Sequence, residues 1–157
     1  MLPWFEPEIT PPVLEAGVRT RDLDDGDAAA IVRAAVEAQM MAMRRHSRWA
    51  VPRVERIHAT GGAARNEEIL QVMADVFNAP VHRMQVANSA CLGAALRALH
   101  ADAASRGLPT SWEDVVAEFA DPSPDAAARP RADAVRIYRD MRRAYATFEA
   151  RESVGQS

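Results

Sequence analysis

The stretch between residues 54 and 86 constrains this chain of 157 residues more than any other. Val54-Glu55-Arg56-Ile57-His58-Ala59 reads as a strand and Thr60-Gly61-Gly62-Ala63-Ala64-Arg65-Asn66 as a turn. A helix comes next from Glu67, and Val81 to Val86 reads as a second short strand. Ile69, Leu70, Met73, Val76 and Phe77 recur at three- and four-residue spacing and give that helix one buried stripe. Asn66 suits its N-cap, Glu67 and Glu68 occupy the electropositive first turn, and Asn78-Ala79-Pro80 ends it. Strand, helix and strand in that order, joined over this distance, predict a parallel pair with a right-handed crossover. The chain is therefore expected to be α/β and helix-rich.

The flanking segments are read from local signals. Pro3, Pro7, Pro11 and Pro12 keep a helix out of the first dozen positions, and a short extended piece is expected around Trp4 to Thr10. An acidic cluster of Asp22, Asp24, Asp25 and Asp27 comes after it. From Asp27, an N-cap, the residues Ile31, Val32, Ala35, Val36, Met40 and Met43 define the buried face of a first helix. Arg44, Arg45 and Arg48 fall in its last turn, where they complement the helix dipole, and Pro52 breaks the chain. After the second strand, Ala87-Asn88-Ser89 leads into a helix with Cys91, Leu92, Ala95, Leu96 and Leu99 on one face, closed by Gly107 and Pro109. Thr110-Ser111-Trp112-Glu113 has capping-box spacing for a shorter helix, and Asp121-Pro122-Ser123-Pro124-Asp125 reads as a loop. A last helix from about Arg131 to Arg151 carries a core stripe of Val135, Tyr138, Met141, Tyr145 and Phe148. The organisation is an irregular or extended lead-in over 1–25, a helix-strand-helix-strand-helix core over 26–106, and C-terminal helices over 110–152. The terminal Ser153 to Ser157 is expected to fray.

A chain of this length buries roughly 70% of the surface exposed when unfolded, so one core is expected. With 19 basic and 22 acidic residues, net −3, there is no electrostatic footprint for nucleic acid or a membrane surface, and neither is expected as a partner. All 19 basic residues are arginine. A phosphate loop ending in Gly-Lys-Ser/Thr and a Schiff-base lysine therefore cannot be housed in these residues. The single cysteine allows neither an internal disulfide nor a cysteine-based zinc site, and a reducing cytoplasm is the expected compartment. The opening Met-Leu-Pro-Trp-Phe-Glu-Pro-Glu lacks the basic start and apolar segment of a signal peptide.

Thr60-Gly61-Gly62 is the arrangement with the most specific chemistry. Two glycines between a strand and a helix let the backbone approach a ligand where a side chain would collide, and the helix beyond them offers unpaired N–H groups. Asn66 presents both donors and acceptors. A second reading stands beside this one, in which the glycines make only a tight connection and Asn66 is only a cap. The run is not Gly-x-Gly-x-x-Gly, and no ribose-binding acid comes after a second strand, so the dinucleotide fingerprint is not met. His46, His58, His82 and His100 fall in four different elements without i, i+4 pairing, so no metal site is expected. The Asp24, Asp25, Asp27 spacing does not fit a calcium loop. Cys91 reads as a small buried residue, and Gly93, which costs about 1 kcal/mol in a helix, is explained by a close packing contact, helix on sheet or helix on ligand.

Residues 57–81, from Ile57-His58-Ala59-Thr60-Gly61-Gly62 through Asn78-Ala79-Pro80-Val81, resemble the C-terminal nucleotide-binding segment of the carbohydrate kinases named for their Phe-Gly-Gly-Tyr motif. Residues 87–100, with Leu92-Gly93-Ala94-Ala95, resemble the family's Gly-Ala-Ala helix in the form found in animal-type xylulose kinases. Glu8-Ile9-Thr10-Pro11 and the tail from Phe119 to Glu149 are similar to the same subgroup, so the resemblance covers nearly the whole chain.

The resemblance implies a partial actin-like, ribonuclease-H-like ATPase domain containing the short parallel β-α-β unit. It implies ATP and ADP as ligands, with Mg2+ carried by the nucleotide, and D-xylulose as the sugar of the intact enzyme, yielding D-xylulose 5-phosphate. The family's Gly-Gly-x-x-x-Asn segment lies against the adenosine and first phosphate; the matching positions here are Gly62, with Ala63 beside it, and Asn66, while Gly61 makes the turn. The family's sugar site, catalytic aspartate and phosphate loops belong to a portion N-terminal to these residues, and no aspartate in 1–157 matches that base. The expectation is a nucleotide-side portion that is inactive alone; the alternative is a non-catalytic nucleotide-binding or split-kinase subunit that joins an N-terminal kinase fragment or self-associates.

Overall fold

The computed structural model describes residues 1–84, 88–108, 110–117, 119 and 122–153. At the N-terminus, β1 (Leu2–Trp4) and β2 (Gly17–Arg19) pair antiparallel, with Leu2 opposite Arg19. The extended piece expected over Trp4 to Thr10 lies earlier, because Pro7, Pro11 and Pro12 have no N–H to give a ladder. Beyond β1 the chain makes a closed turn held by Glu8 and Val13, whose backbone N–H groups donate to each other's carbonyls at 3.0 and 2.9 Å.

Helix α1 (Ala28–His46) begins where expected, with the Asp27 carboxylate accepting from the Ala30 N–H at 2.9 Å. Its buried sector differs from the apolar count: Ala38, Met40 and Met41 are buried, whereas Val32 and Met43 are exposed. The sector is rotated because Glu37 turns inward, accepting from Tyr138 Oη at 2.7 Å and from Arg33 Nε at 2.6 Å. Its hydrogen bonds offset the cost of taking the carboxylate out of water, and counting apolar residues passes over it.

The central unit is the expected one. Strand β3 (Ile57–Ala59) pairs parallel with β4 (Val81–Met84), Ile57 opposite Val81 and Ala59 opposite Arg83. Between them lie a 3-10 turn, Gly62–Arg65, and helix α2 (Glu67–Phe77). β3 is shorter than the apolar run suggests, with Val54 packed against the core from outside it; β4 is described as far as Met84, and Gln85 and Val86 lie outside the described residues. Asn78 ends α2 in the left-handed region at φ 53°, one of the few side chains that tolerates it.

The loop expected over 121–125 is corrected. Residues Pro122–Ala128 form β5, antiparallel to β4, and the sheet order is β3-β4-β5; Asp121 is outside the described residues. β5 is an edge strand with an irregular register, the setting in which a sheet tolerates proline.

Helix α3 (Ser89–Ser105) is capped by the Asn88 side chain and packs chiefly against α4 (Trp112–Val116). The expected buried position of Cys91 is also corrected: the thiol is exposed, as is Leu99. The side chain that α3 buries is Leu96, five residues on and so roughly 140° around the helix from Cys91. The capping box moves by one residue, to Ser111 and Asp114, whose side chain and backbone groups bond reciprocally at 3.1 and 3.2 Å. Gly107 closes α3 with φ +71°; Pro109 lies outside the described residues.

Helix α5 (Ala132–Ser153) runs across α1 and α2. Tyr138 and Tyr145 are buried among Leu2, Trp4, Val13, Met41, Val72 and Val76, with Met141 and Phe148 packed alongside, so the aromatic stripe is core. Ala59, Ala64, Leu70, Ala74, Val81 and Ala128 form a second cluster between α2 and the sheet. Asp75, 1% exposed, joins α2 to the start of α5: its carboxylate accepts from the Arg131 N–H and Nη2, each at 2.7 Å, and from Arg131 Nε and Gln71 Nε2 at 3.1 Å.

Candidate functional site

Gly61, Gly62, Ala63 and Asn66 come together in one exposed turn at the head of α2. Gly61 has φ +86°, which only glycine adopts without strain, and it reverses the chain out of β3. Gly62 has an ordinary φ, and a Cβ at either glycine would meet nothing within 4 Å. Neither glycine is there to relieve crowding inside the chain. The space above both is open from the solvent side.

The turn is held at three points. The Ala64 N–H donates to the Gly61 carbonyl at 3.2 Å and the Asn66 N–H to the Ala63 carbonyl at 3.1 Å. Ala64 is buried, and its carbonyl accepts from Arg83 Nε at 2.8 Å, which fastens the turn to β4. Arg83 did not stand out in the sequence, because the contact is set by the parallel register that brings it opposite Ala59.

Asn66 is a cap by geometry. Its Oδ1 accepts from the N–H groups of Glu68 and Ile69 at 3.0 and 3.1 Å. The capping reading of Asn66 therefore holds, and it consumes the acceptor end of the amide. The donor end, Nδ2, has no partner among the described residues. Glu67 and Glu68 stand exposed in the first turn of α2, so carboxylates border the site.

Gly93 in α3 is similar: a Cβ added there would meet nothing within 4 Å, so the described residues do not make the close packing contact expected at this position. The histidines are not all isolated: His58 and His82 are cross-strand partners with ring centroids 6.1 Å apart, His100 stacks on Trp112 at 4.2 Å, and His46 Nε2 lies 3.0 Å from Glu149. Among the described residues, no three His, Cys, Asp or Glu side chains gather as a metal cluster, and no helix is long and apolar enough to cross a membrane.

Two parallel strands joined through a glycine turn and a capped helix, with an antiparallel third strand and helices packed against the sheet, define a helix-rich α/β domain whose fold is shared with solved sugar kinases. Residues 2–101 match the C-terminal domain of the FGGY family of carbohydrate kinases, and the chain belongs to that family. It is 38% identical over 152 residues to xylulose kinase of Rattus norvegicus, covering 92% of this chain and 27% of that protein. The chain thus spans about a quarter of the length of that relative. The solved xylulose kinase of Lactobacillus acidophilus superimposes with a TM-score of 0.63 at 21% identity, over 82% of this chain and 25% of that one. The gluconate kinase of the same organism gives 0.64 at 20% identity, over 86% of this chain and 26% of its own. Near-equal likeness to kinases named for two different sugars carries the fold and leaves the sugar open.

Proposed function

We propose that this chain is the nucleotide-side portion of a xylulose-kinase-like phosphotransferase and holds the adenosine end of ATP or ADP at the Gly61–Asn66 turn. The observation that carries the reading is the open approach above Gly61 and Gly62 beside Nδ2 of Asn66, which has no partner among the described residues. Bare backbone admits a ligand to contact distance, and Nδ2 supplies a donor to a ribose hydroxyl or a first-phosphate oxygen. The exposed carboxylates of Glu67 and Glu68 disfavour outer phosphates at the head of α2, which supports the adenosine end, and not the Mg2+-bearing triphosphate tail, as the part held there. Sugar identity as D-xylulose, giving ADP and D-xylulose 5-phosphate, rests on the likeness to the rat enzyme. The sugar pocket and the general base that deprotonates the acceptor hydroxyl come from residues outside these 157. Asp75 cannot be that base, since both its oxygens are engaged by Arg131 and Gln71. The chain by itself is accordingly a nucleotide binder without turnover.

Calorimetry with ATP, ADP and NAD tests this. Asn66→Asp keeps the capping oxygen, removes the Nδ2 donor and adds a charge that repels phosphate, so ATP and ADP affinity should fall tenfold or more with the fold intact. Gly62→Val fills open space at an ordinary φ and should block the nucleotide without unfolding the chain. Unchanged ATP affinity in both variants would falsify the site, and NAD binding as tight as ATP would point to a dinucleotide binder instead.

A further inference from the structure

A cleft of about 890 Å³ lies between the C-terminal end of α1 and the middle of α5, and its charged lining is of one sign. Arg44, Arg45, Arg48, Arg139, Arg142 and Arg143 line it together with His46 and Trp49, and among the described residues no carboxylate joins that lining. Some of that charge is answered nearby. Arg45 and His46 meet buried Glu149 at 2.5 and 3.0 Å, and Arg139 and Arg143 lie 3.8 and 3.4 Å from exposed Asp140. Arg44, Arg48 and Arg142 have no carboxylate within 4 Å among the described residues.

Two of these three are also withdrawn from water. Nε and Nη1 of Arg44 and Nε of Arg142 are buried without a hydrogen-bond partner, while Arg44 Nη2 donates to the Pro52 carbonyl at 3.3 Å. Buried N–H donors are almost always satisfied, and orphans on a guanidinium mark a place where an acceptor is missing. Burial and then the mutual repulsion of these arginines hold the guanidiniums of Arg44 and Arg142 below their ordinary basicity. The chain is therefore working against itself here, and an anion relieves both the repulsion and the orphaned donors at once.

We propose that this arginine cleft binds a small anion carrying two phosphate groups, at a site separate from the glycine turn. A single phosphate group carries about −1.5 to −2 at neutral pH, short of three unanswered guanidiniums, whereas two phosphates match them. The separation is set by α2. Asn66 caps its first turn, while Phe77 and Asn78 at its far end line a neighbouring cleft that Arg44 and Arg142 also line. Eleven residues of helix put the two about 16 Å apart. Trp49, largely exposed on the rim, offers a flat apolar wall for whatever the phosphates are attached to.

The test is calorimetry of the full chain with inorganic pyrophosphate and, in parallel, orthophosphate. Pyrophosphate should bind one per chain, more weakly as salt rises and at least tenfold more tightly than orthophosphate. Arg142→Met and Arg48→Met should each lose tenfold or more; Arg48 is exposed beyond the end of α1, so its replacement leaves the core untouched. Arg106→Met, at an exposed arginine just past the end of α3, and Asn66→Asp should leave pyrophosphate binding unchanged. The proposal is overturned if the wild-type chain gives no binding, if orthophosphate binds as tightly, or if Arg106→Met weakens binding as much as Arg142→Met. Loss in Asn66→Asp alone would place the anion at the turn and also overturn it. No binding to pyrophosphate, with capture of an acidic peptide instead, would reassign the cleft to a protein partner.

Discussion

Replacing Asp75 by asparagine should be among the most damaging conservative changes in the chain. The change preserves shape and replaces one accepting oxygen by a donor, so an NH2 group faces the N–H groups of Arg131. At the native carboxylate, four donors converge: the Arg131 N–H, Nη2 and Nε, and Gln71 Nε2. Removing one partner of a buried ion pair costs about 3–5 kcal/mol. Here the Asp75 side chain is fully buried but that of Arg131 is 56% exposed. Water recovers the guanidinium when the pair breaks, which lowers the expected loss to about 2–3 kcal/mol. Urea denaturation followed by circular dichroism at neutral pH measures it, on wild type, Asp75→Asn, Arg131→Met and the double variant. The double variant should lose about 1–2 kcal/mol less than the sum of the singles, because both remove the same contact. A loss below about 0.5 kcal/mol for Asp75→Asn, the range of an ordinary surface change, would refute the reasoning, as would strict additivity.

The buried phenols and the arginine tether of the turn give two further expected outcomes. Tyr138 and Tyr145 are the two tyrosines of the chain, and both are buried; burial and the Glu37 carboxylate push the Tyr138 phenol up to about 12, and burial beside Glu149 raises Tyr145 as well. A phenol whose folded value exceeds its unfolded value of about 10 contributes stability that is complete below pH 10 and fades between 10 and 12, roughly 2–3 kcal/mol for Tyr138. Tyrosinate absorbance should therefore stay low above pH 10 until circular dichroism is lost, and a native chain that titrates near 10 would contradict the burial. Arg83→Met should lower stability by about 1 kcal/mol through the lost bond to the Ala64 carbonyl. It should weaken ATP binding beyond that of an ordinary surface variant, because a turn released from β4 must be ordered by the ligand; unchanged ATP affinity would show that the tether does not preorganise the turn.

The β-α-β unit was legible because its signals are local and agree: the period of the stripe, Asn66 before Glu67 and Glu68, and a left-handed Asn78 at the end. The turn residues were legible for the same reason. What the sequence hid depends on partners far along the chain. β5 looks like a proline loop until β4 is beside it, and Glu37 looks like a surface acid until Tyr138, 101 residues away, donates to it. Arg83 is an unremarkable strand residue until the register sets it against the turn. The cap at Ser111 rather than Thr110 was a one-residue ambiguity, since Ser-x-x-Asp and Thr-x-x-Glu overlap there.

Helix α3 gives the molecule two tiers of cohesion. Its single buried side chain is Leu96, and its main neighbour is the short helix α4, whereas α1, α2 and α5 share the first core cluster and α2 joins the sheet in the second. Opening the α3–α4 hairpin exposes little apolar surface, so it can melt and reform many times within one lifetime of the native core. The glycine turn belongs to the slow tier and the glycine helix to the fast one. A ligand that touched both would find its first contact already standing and would have to hold the second in place.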